Sequence, residues 1–278
     1  MQPAQPLTTL RIAVGDVWAH RRDLLVLGLP AVLVATLAMR AAGALVFGVI
    51  GGDLVLALDD AALLQVAAFA IVYASLLAGW AAVAVAAVPF SVAWLRRALP
   101  PGERPVAEAA WRWRARHGRF LRRLVQVGLV VFAVHLLVGL PLEAATFPML
   151  AAPGTDPAWL YGIPLIALLA AGLPVVRLAP ALAAAALDAP CSLRAAWTAT
   201  RGRTGSLFAL YLFTIVPAWG AARAFHHGIG TLAEDAAYGS QAFLAAATFV
   251  ELILFLIGWA VALSAIALVW RGPDGEVA

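Results

Sequence analysis

The sequence contains no lysine, has a single cysteine, and has only 12% charged residues against 64% hydrophobic ones. A lone Cys191 excludes an internal disulfide and a cysteine-based metal cluster. Soluble domains carry about 25% charged residues, so a hydrated surface of ordinary composition is excluded too. All 19 basic residues are arginine. Together with the abundant alanine, this is typical of GC-rich bacterial genomes, because the codons of both residues are GC-rich.

Motifs that carry enzyme chemistry are missing as well. The sequence has no phosphate-binding P-loop, no dinucleotide fingerprint, no HExxH pair and no serine elbow. His226 and His227 are adjacent, so on a helix they would point about 100° apart and could not chelate a metal from one face. The sequence therefore predicts no catalytic residues, no metal site, no cofactor and no enzymatic activity.

Long apolar stretches dominate what is present. About 20 mostly apolar residues are needed to cross the hydrocarbon core as a helix, and six stretches reach that scale. They cover residues 24–48, 61–95, 124–147, 159–187, 207–222 and 242–270. The first is too long for the apolar core of a signal peptide, so we expect it to be retained. The predicted fold is an all-α, six-span integral membrane domain covering residues 1–278.

The distribution of arginine orients these spans. Segment 96–123 carries nine arginines against two glutamates, whereas segment 51–60 carries three aspartates and no arginine. Basic loops stay on the cytoplasmic side of bacterial membranes. The sequence therefore predicts a multi-pass protein of the bacterial cytoplasmic (inner) membrane with both termini in the cytoplasm.

The three predicted cytoplasmic segments share one pattern. Residues 8–22, 105–122 and 191–204 each combine an apolar, tryptophan-bearing helical face with an arginine-rich one. Such helices lie in the headgroup layer. One interpretation is three repeats, each an interfacial helix followed by a transmembrane hairpin; the alternative is that basic amphipathic junctions occur in any multi-pass protein.

Anionic lipid headgroups are the predicted partners of these segments, since the arginines flank membrane spans. For the same reason nucleic acid is not expected, despite the formal charge of +4. A protein partner or a homo-oligomer is left open. The candidate headgroup contacts are Arg112, Arg116, Arg119, Arg123, Arg194, Arg201 and Arg203.

The most patterned stretch runs from residue 176 to 206. Its distinctive residues are Arg177, Asp188, Leu193, Ala196, Trp197, Thr200, Arg201 and Gly202. This pattern resembles bacterial membrane proteins related to the membrane domain of glycerophosphodiester phosphodiesterases, many of which stand alone without an assigned activity. The resemblance implies a six-span helical protein and no catalysis, because in those relatives the chemistry belongs to a separate soluble barrel. A proline usual before the acidic residue is alanine here.

Ionisable residues inside spans are costly and are therefore candidate functional residues. They are Arg40, His135, Glu143, Arg177 and Glu251. One hypothesis makes Glu143, Glu251 and His135 a proton or cation path, with His135 near the centre of the third span. The other is structural: internal pairs such as Arg40–Glu143, small wet cavities, or snorkelling to headgroups.

Arg177 has three interpretations of its own. It could hold a lipid phosphate between spans, because guanidinium matches phosphate bidentately. It could instead neutralise Asp188, or snorkel. Taken together, the sequence predicts a non-enzymatic membrane protein that organises partners or anionic lipids at the cytoplasmic leaflet; the alternative is a small transporter or channel using the intramembrane charges.

Overall fold

The computed structural model describes residues 5–51, 61–97, 111–139, 141–142, 158–232 and 241–271. Over these ranges the backbone is helical apart from short turns, and no strand occurs in them. Six of the helices are long and apolar enough to cross a membrane. The all-α, multi-span fold class is thereby confirmed. It is the expected solution for a lipid-exposed chain, because a helix satisfies its backbone polar groups internally.

The helices are numbered in chain order. They are α1 (Pro6–Ala19), α2 (Arg21–Gly51), α3 (Ala61–Arg96), α4 (Ala115–Val134), α5 (Ala158–Ala186), α6 (Leu193–Ala199), α7 (Thr204–Leu232) and α8 (Gln241–Arg271). Helix α4 continues into a single π-helical turn, His135–Gly139.

Two predicted span boundaries differ from the structure by more than a few residues. Helix α4 begins at Ala115, nine residues before the predicted start at 124. Residues 111–114 are turn and coil, and residues 115–122 are the start of α4. Over its described part, the predicted interfacial helix 105–122 is therefore not a separate element. Helix α7 runs to Leu232, ten residues past the predicted end at 222. In both cases the backbone ladder continues beyond the apolar stretch, because helical hydrogen bonds do not require apolar side chains.

The other two predicted short helices are separate elements. Helix α1 starts with Pro6 at its first turn, where the missing N–H costs nothing, and α2 starts at Arg21. Helix α6 ends at Ala199, shorter than the predicted 191–204. Its N-cap is Ser192, whose hydroxyl accepts a hydrogen bond of 3.0 Å from the Ala195 N–H.

The spans pack mainly as consecutive pairs: α2 with α3, α4 with α5, and α7 with α8. Helix α1 packs across α8 and α7. This arrangement of three hairpins is what the three-repeat interpretation predicts; the repeat itself stays a prediction.

One end of the bundle holds most of the described arginines. We call it the basic end, and it includes the C-termini of α3 and α5 and the N-terminus of α4. Much of the buried core lies near it, including Phe90, Leu95 and Phe120. A polar chain also ties helices together there. The Trp94 indole N–H donates to the Ser264 hydroxyl at 3.0 Å, and that hydroxyl donates to an Asp16 carboxylate oxygen at 2.9 Å. This chain joins α3, α8 and α1.

The surface of the spans is apolar. Leu37, Leu129 and Leu137 are 71%, 62% and 77% exposed. Exposed leucines at this density would be unfavourable in water, and they face hydrocarbon when the helices span a membrane.

Candidate functional site

Asp188 lies at the basic end, just after α5, and binds three arginines. Its carboxylate lies 3.3 Å from Arg96 at the end of α3 and 3.8 Å from Arg116 in α4. It also accepts a hydrogen bond from Arg119, one turn further along α4. One helical turn later, Arg123 donates to the Cys191 carbonyl oxygen at 3.1 Å. We call Arg96, Arg116, Arg119, Arg123 and Asp188 the Asp188 cluster.

Local sequence explains how the cluster forms. Residues 116, 119 and 123 are spaced by three and four, so they share one face of α4. Asp188 has a φ of 61°, a left-handed conformation that aspartate tolerates better than most residues. The Ala189 N–H bonds back to the Ala184 carbonyl oxygen at 2.9 Å, which closes α5 with the hydrogen bond typical of a Schellman motif. The turn thereby places the carboxylate against α4.

The charge of the cluster is unbalanced. Among the described residues, the cluster holds four guanidinium groups, three of them paired with the carboxylate, which gives a local excess of three positive charges. The side chains of Arg119 and Asp188 are 48% and 41% exposed, so the excess charge is open to the surroundings. Exposed arginines at a membrane surface attract anionic headgroups and pair with phosphate through two parallel hydrogen bonds.

Arg177 makes a different contact. Its guanidinium lies over the Trp197 ring, 3.8 Å from the centroid, and donates to the Trp197 carbonyl oxygen at 2.6 Å. Its Nε is buried and has no hydrogen-bond partner. Arg177 therefore does not neutralise Asp188, whose carboxylate is paired with arginines of α3 and α4. Instead it fastens α6 to the flank of α5.

The residues singled out in segment 176–206 fall into two places. Ala196, which is fully buried, and Thr200 join Arg177 and Trp197 at the α5–α6 contact. The Thr200 hydroxyl donates to the Ala196 carbonyl oxygen at 2.9 Å and lies 3.3 Å from that of Arg177. Asp188 belongs to the cluster instead. The remaining members are half-buried Leu193 and the exposed Arg201 and Gly202. Much of this pattern builds the corner between α5 and α7.

The predicted headgroup contacts divide similarly. Three of them, Arg116, Arg119 and Arg123, are the α4 members of the Asp188 cluster. The others lie before α4 and in or just after α6, and all are exposed except for half-buried Arg203: Arg112, Arg194, Arg201 and Arg203.

The intramembrane charges do not form one described constellation. Glu143, and with it the predicted Arg40–Glu143 pair, lies outside the described residues. Arg40 and Glu251 are half-buried in α2 and α8. Gly28 packs against Leu256 where these antiparallel helices meet. Counted from this contact, Glu251 is five residues and Arg40 twelve residues further from the basic end, a difference in depth of about 10 Å.

His135 lies toward the end of α4 that is far from the basic end. It follows α4 by one residue, twenty residues after Ala115, or about 30 Å along the helix. Its predicted position near the centre of the third span stays a prediction. His135 opens the π-helical turn, and its ring packs over Gly139 so closely that a side chain there would overlap it. The transport hypothesis stays a prediction. No group of three or more potential metal-ligating side chains occurs within the described ranges.

Sequence reasoning missed a groove beside the corner between α5 and α7. It has a volume of about 580 Å³ and is bounded by α5, the turn before α7, and helices α7 and α8. We call it the α5–α7–α8 groove. Its walls include Val175, Leu182, Leu207, Ile215, Trp259 and Val269. Those residues come from distant parts of the sequence, and no local pattern marks them. The only local signal is small residues on facing helices, such as Ala179 and Ala262.

Comparison with family models, curated proteins and solved structures finds no match for this chain. The resemblance to the membrane domain of glycerophosphodiester phosphodiesterases therefore stays a prediction.

Proposed function

We propose that this chain is a non-enzymatic protein of the bacterial inner membrane that gathers anionic lipids at the cytoplasmic leaflet. The observation that carries the proposal is the Asp188 cluster: one carboxylate holds arginines from two helices in place and leaves positive charge in excess. A free arginine side chain loses much rotational entropy when it binds a headgroup. Arginines already aligned by Asp188 lose less.

Helix α1 adds a second surface that is suited to contact with lipid. Leu7 and Trp18 are 66% and 72% exposed, whereas Ala13 and Val17 are buried against the bundle. Arg21 lies 5.5 Å from the Trp18 ring centroid. An exposed tryptophan and leucine beside an arginine suit the interface between headgroups and acyl chains.

The orientation rests on the positive-inside rule, and Cys191 supplies its test. This thiol is the only one in the chain, and it lies between α5 and α6 at the basic end. In inside-out vesicles a membrane-impermeant maleimide should label it. Labelling in intact spheroplasts, with none in inside-out vesicles, would overturn the orientation.

The lipid proposal is tested by lipid enrichment. The protein is reconstituted into vesicles of equal phosphatidylglycerol and phosphatidylcholine, extracted with a nanodisc-forming polymer, and its co-extracted lipids are quantified by mass spectrometry. We expect phosphatidylglycerol to be enriched over the bulk ratio. The double variant Arg119→Gln/Arg123→Gln should lose most of that enrichment, because Arg96 and Arg116 are left to balance Asp188.

A matched control removes the same net charge elsewhere. The variant Arg22→Gln/Arg122→Gln changes two exposed arginines of α2 and α4 outside the Asp188 cluster and should keep most of the enrichment. An equal loss in both double variants would show that total charge, and not the cluster, attracts the lipid. Absence of enrichment in the unmodified protein would reject the function. Size-exclusion profiles verify that each variant is folded.

A further inference from the structure

We propose that the α5–α7–α8 groove holds one acyl chain of an anionic glycerophospholipid whose phosphate is bound at Arg203. The inference rests on the proposed function for the charge and leaflet of the lipid, and adds a single stoichiometric site separate from the Asp188 cluster. Its evidence is the length of the groove, the chemistry of its walls, and the position of its one arginine.

The groove has the length of one leaflet. Along α8 it extends from Trp259 to Val269, and along the α7 side from Arg203 to Ile215. At 1.5 Å per residue these distances are about 15 and 18 Å. Half of a hydrocarbon core of about 30 Å is about 15 Å. A volume of about 580 Å³ also lies within the range of about 300–1,000 Å³ found for small-molecule pockets.

The walls offer an occupant almost no polar partner along that length. The polar side chains in them are already hydrogen-bonded to the protein. The Tyr211 hydroxyl donates to the Leu168 carbonyl oxygen at 3.0 Å, and the Thr214 hydroxyl to that of Leu210 at 2.8 Å. The Trp259 indole N–H donates to the Ser91 hydroxyl at 2.9 Å. An acyl chain satisfies such walls, whereas a polar solute would lose hydrogen bonds to water without replacing them.

The rim at the basic end carries the one arginine of the groove lining. Thr200, Gly202 and Arg203 line it, directly before the first turn of α7. Arg203 is a cation at the depth where a headgroup phosphate lies when an acyl chain fills the groove. The N-terminus of α7, a 29-residue helix, adds the partial positive charge of its backbone N–H groups. A molecule with an apolar tail and an anionic head matches both parts of the groove.

The test counts bound lipid on the intact protein. The purified chain is stripped of lipid in detergent and incubated with phosphatidylglycerol or phosphatidylcholine, and the bound molecules are counted by native mass spectrometry. We expect one phosphatidylglycerol to persist at activation energies that remove all others, with at least tenfold less phosphatidylcholine retained.

Two variants and two matched controls locate the site. Ala262→Phe fills the groove and should abolish the persistent lipid, whereas Ala246→Phe, on an exposed position of the same helix, should not. Arg203→Gln should reduce retention at least tenfold and remove the preference for phosphatidylglycerol. Arg122→Gln, on an exposed position of α4 that does not line the groove, should change neither. Ala199→Leu at the exposed rim gives a second blocking variant if Ala262→Phe does not fold.

Several results would overturn the proposal: no persistent lipid, equal retention of phosphatidylcholine, persistence in correctly folded Ala262→Phe and Ala199→Leu, or loss in the Ala246→Phe control. Retention of an uncharged apolar molecule in preference to phosphatidylglycerol would also overturn it. These outcomes are separate from the lipid-enrichment test, because that test responds to Arg119 and Arg123. Enrichment can fail while the persistent lipid remains, and the persistent lipid can be absent while enrichment is normal.

Discussion

The guanidinium of Arg177 contacts both the ring and the backbone of Trp197, 3.8 Å from the ring centroid and 2.6 Å from the carbonyl oxygen. This pair joins a membrane span to the short helix α6. The ring and the carbonyl replace part of the hydration that the charge loses, and guanidinium suits this role because it is planar and weakly hydrated.

Replacing Arg177 with lysine should therefore destabilise the protein despite conserving the charge. The ammonium cannot stack on Trp197 and donate to its carbonyl in the same plane. We expect a loss of about 1–2 kcal/mol, the scale of a cation–π contact together with a charged hydrogen bond. Apparent thermal unfolding midpoints in detergent, at a fixed scan rate, measure the loss. Arg194→Lys on exposed α6 is the control, and an equal shift in both variants would contradict the assignment.

Asp188 combines a backbone requirement with a charge, and two substitutions separate them. Asparagine tolerates the left-handed φ of 61° but removes the carboxylate, whereas alanine removes the charge and adds about 1 kcal/mol of backbone strain. Asp188→Asn leaves Arg96, Arg116 and Arg119 to repel one another. We expect a lowered unfolding midpoint that recovers in part at 1 M salt, because salt screens exposed charges.

Asp188→Ala should be less stable than Asp188→Asn at every salt concentration, since salt does not relieve backbone strain. The salt-dependent part of the loss should be equal in the two variants. A loss in Asp188→Asn that does not respond to salt would show that the repulsion between the arginines is not what the carboxylate relieves.

The sequence predicted the spans better than the sites, for physical reasons. Apolar length is a local property, so five of the six helices begin within a few residues of their predicted starts. The start of α4 was missed because its first arginines are compensated by Asp188, 69 residues beyond Arg119. Arginine patterns indicated which end is basic, but which arginines pair with Asp188 depends on which helices become neighbours. The groove could not be predicted at all, since its walls are ordinary apolar residues that form a groove only when the helices pack together.

Cys191 should react slowly with thiol reagents near neutral pH. Burial raises the pKa of its thiol above the ordinary value of 9.0, and nearby Arg123 opposes that change. The thiolate is the reactive form. A raised pKa leaves less thiolate at pH 7, so the labelling rate should rise about tenfold per pH unit and continue rising beyond pH 9.

Arg123→Gln should slow Cys191 labelling further at any fixed pH, since it removes the larger of the two contributions that lower the pKa. Its exposed neighbour provides the control, and Arg122→Gln should leave the rate nearly unchanged. Maleimide kinetics on solubilised protein measure both rates. A rate that levels off below pH 9, or faster labelling in Arg123→Gln, would contradict the predicted direction.

Gly258 lies at a close contact between α7 and α8. A Cβ atom there would lie 2.5 Å from the Cβ of Ala218 and 3.3 Å from the backbone oxygen of Thr214. Neither atom can move without shifting α7, so Gly258→Ala should cost about 1–3 kcal/mol through overpacking.

Gly43→Ala, in α2, meets no atom within 4 Å and should be neutral or stabilising by up to about 1 kcal/mol, because alanine favours helices. Unfolding midpoints of the two variants, measured side by side, should move in opposite directions or differ by several degrees. An unchanged midpoint in Gly258→Ala would show that α7 and α8 are not held at this distance.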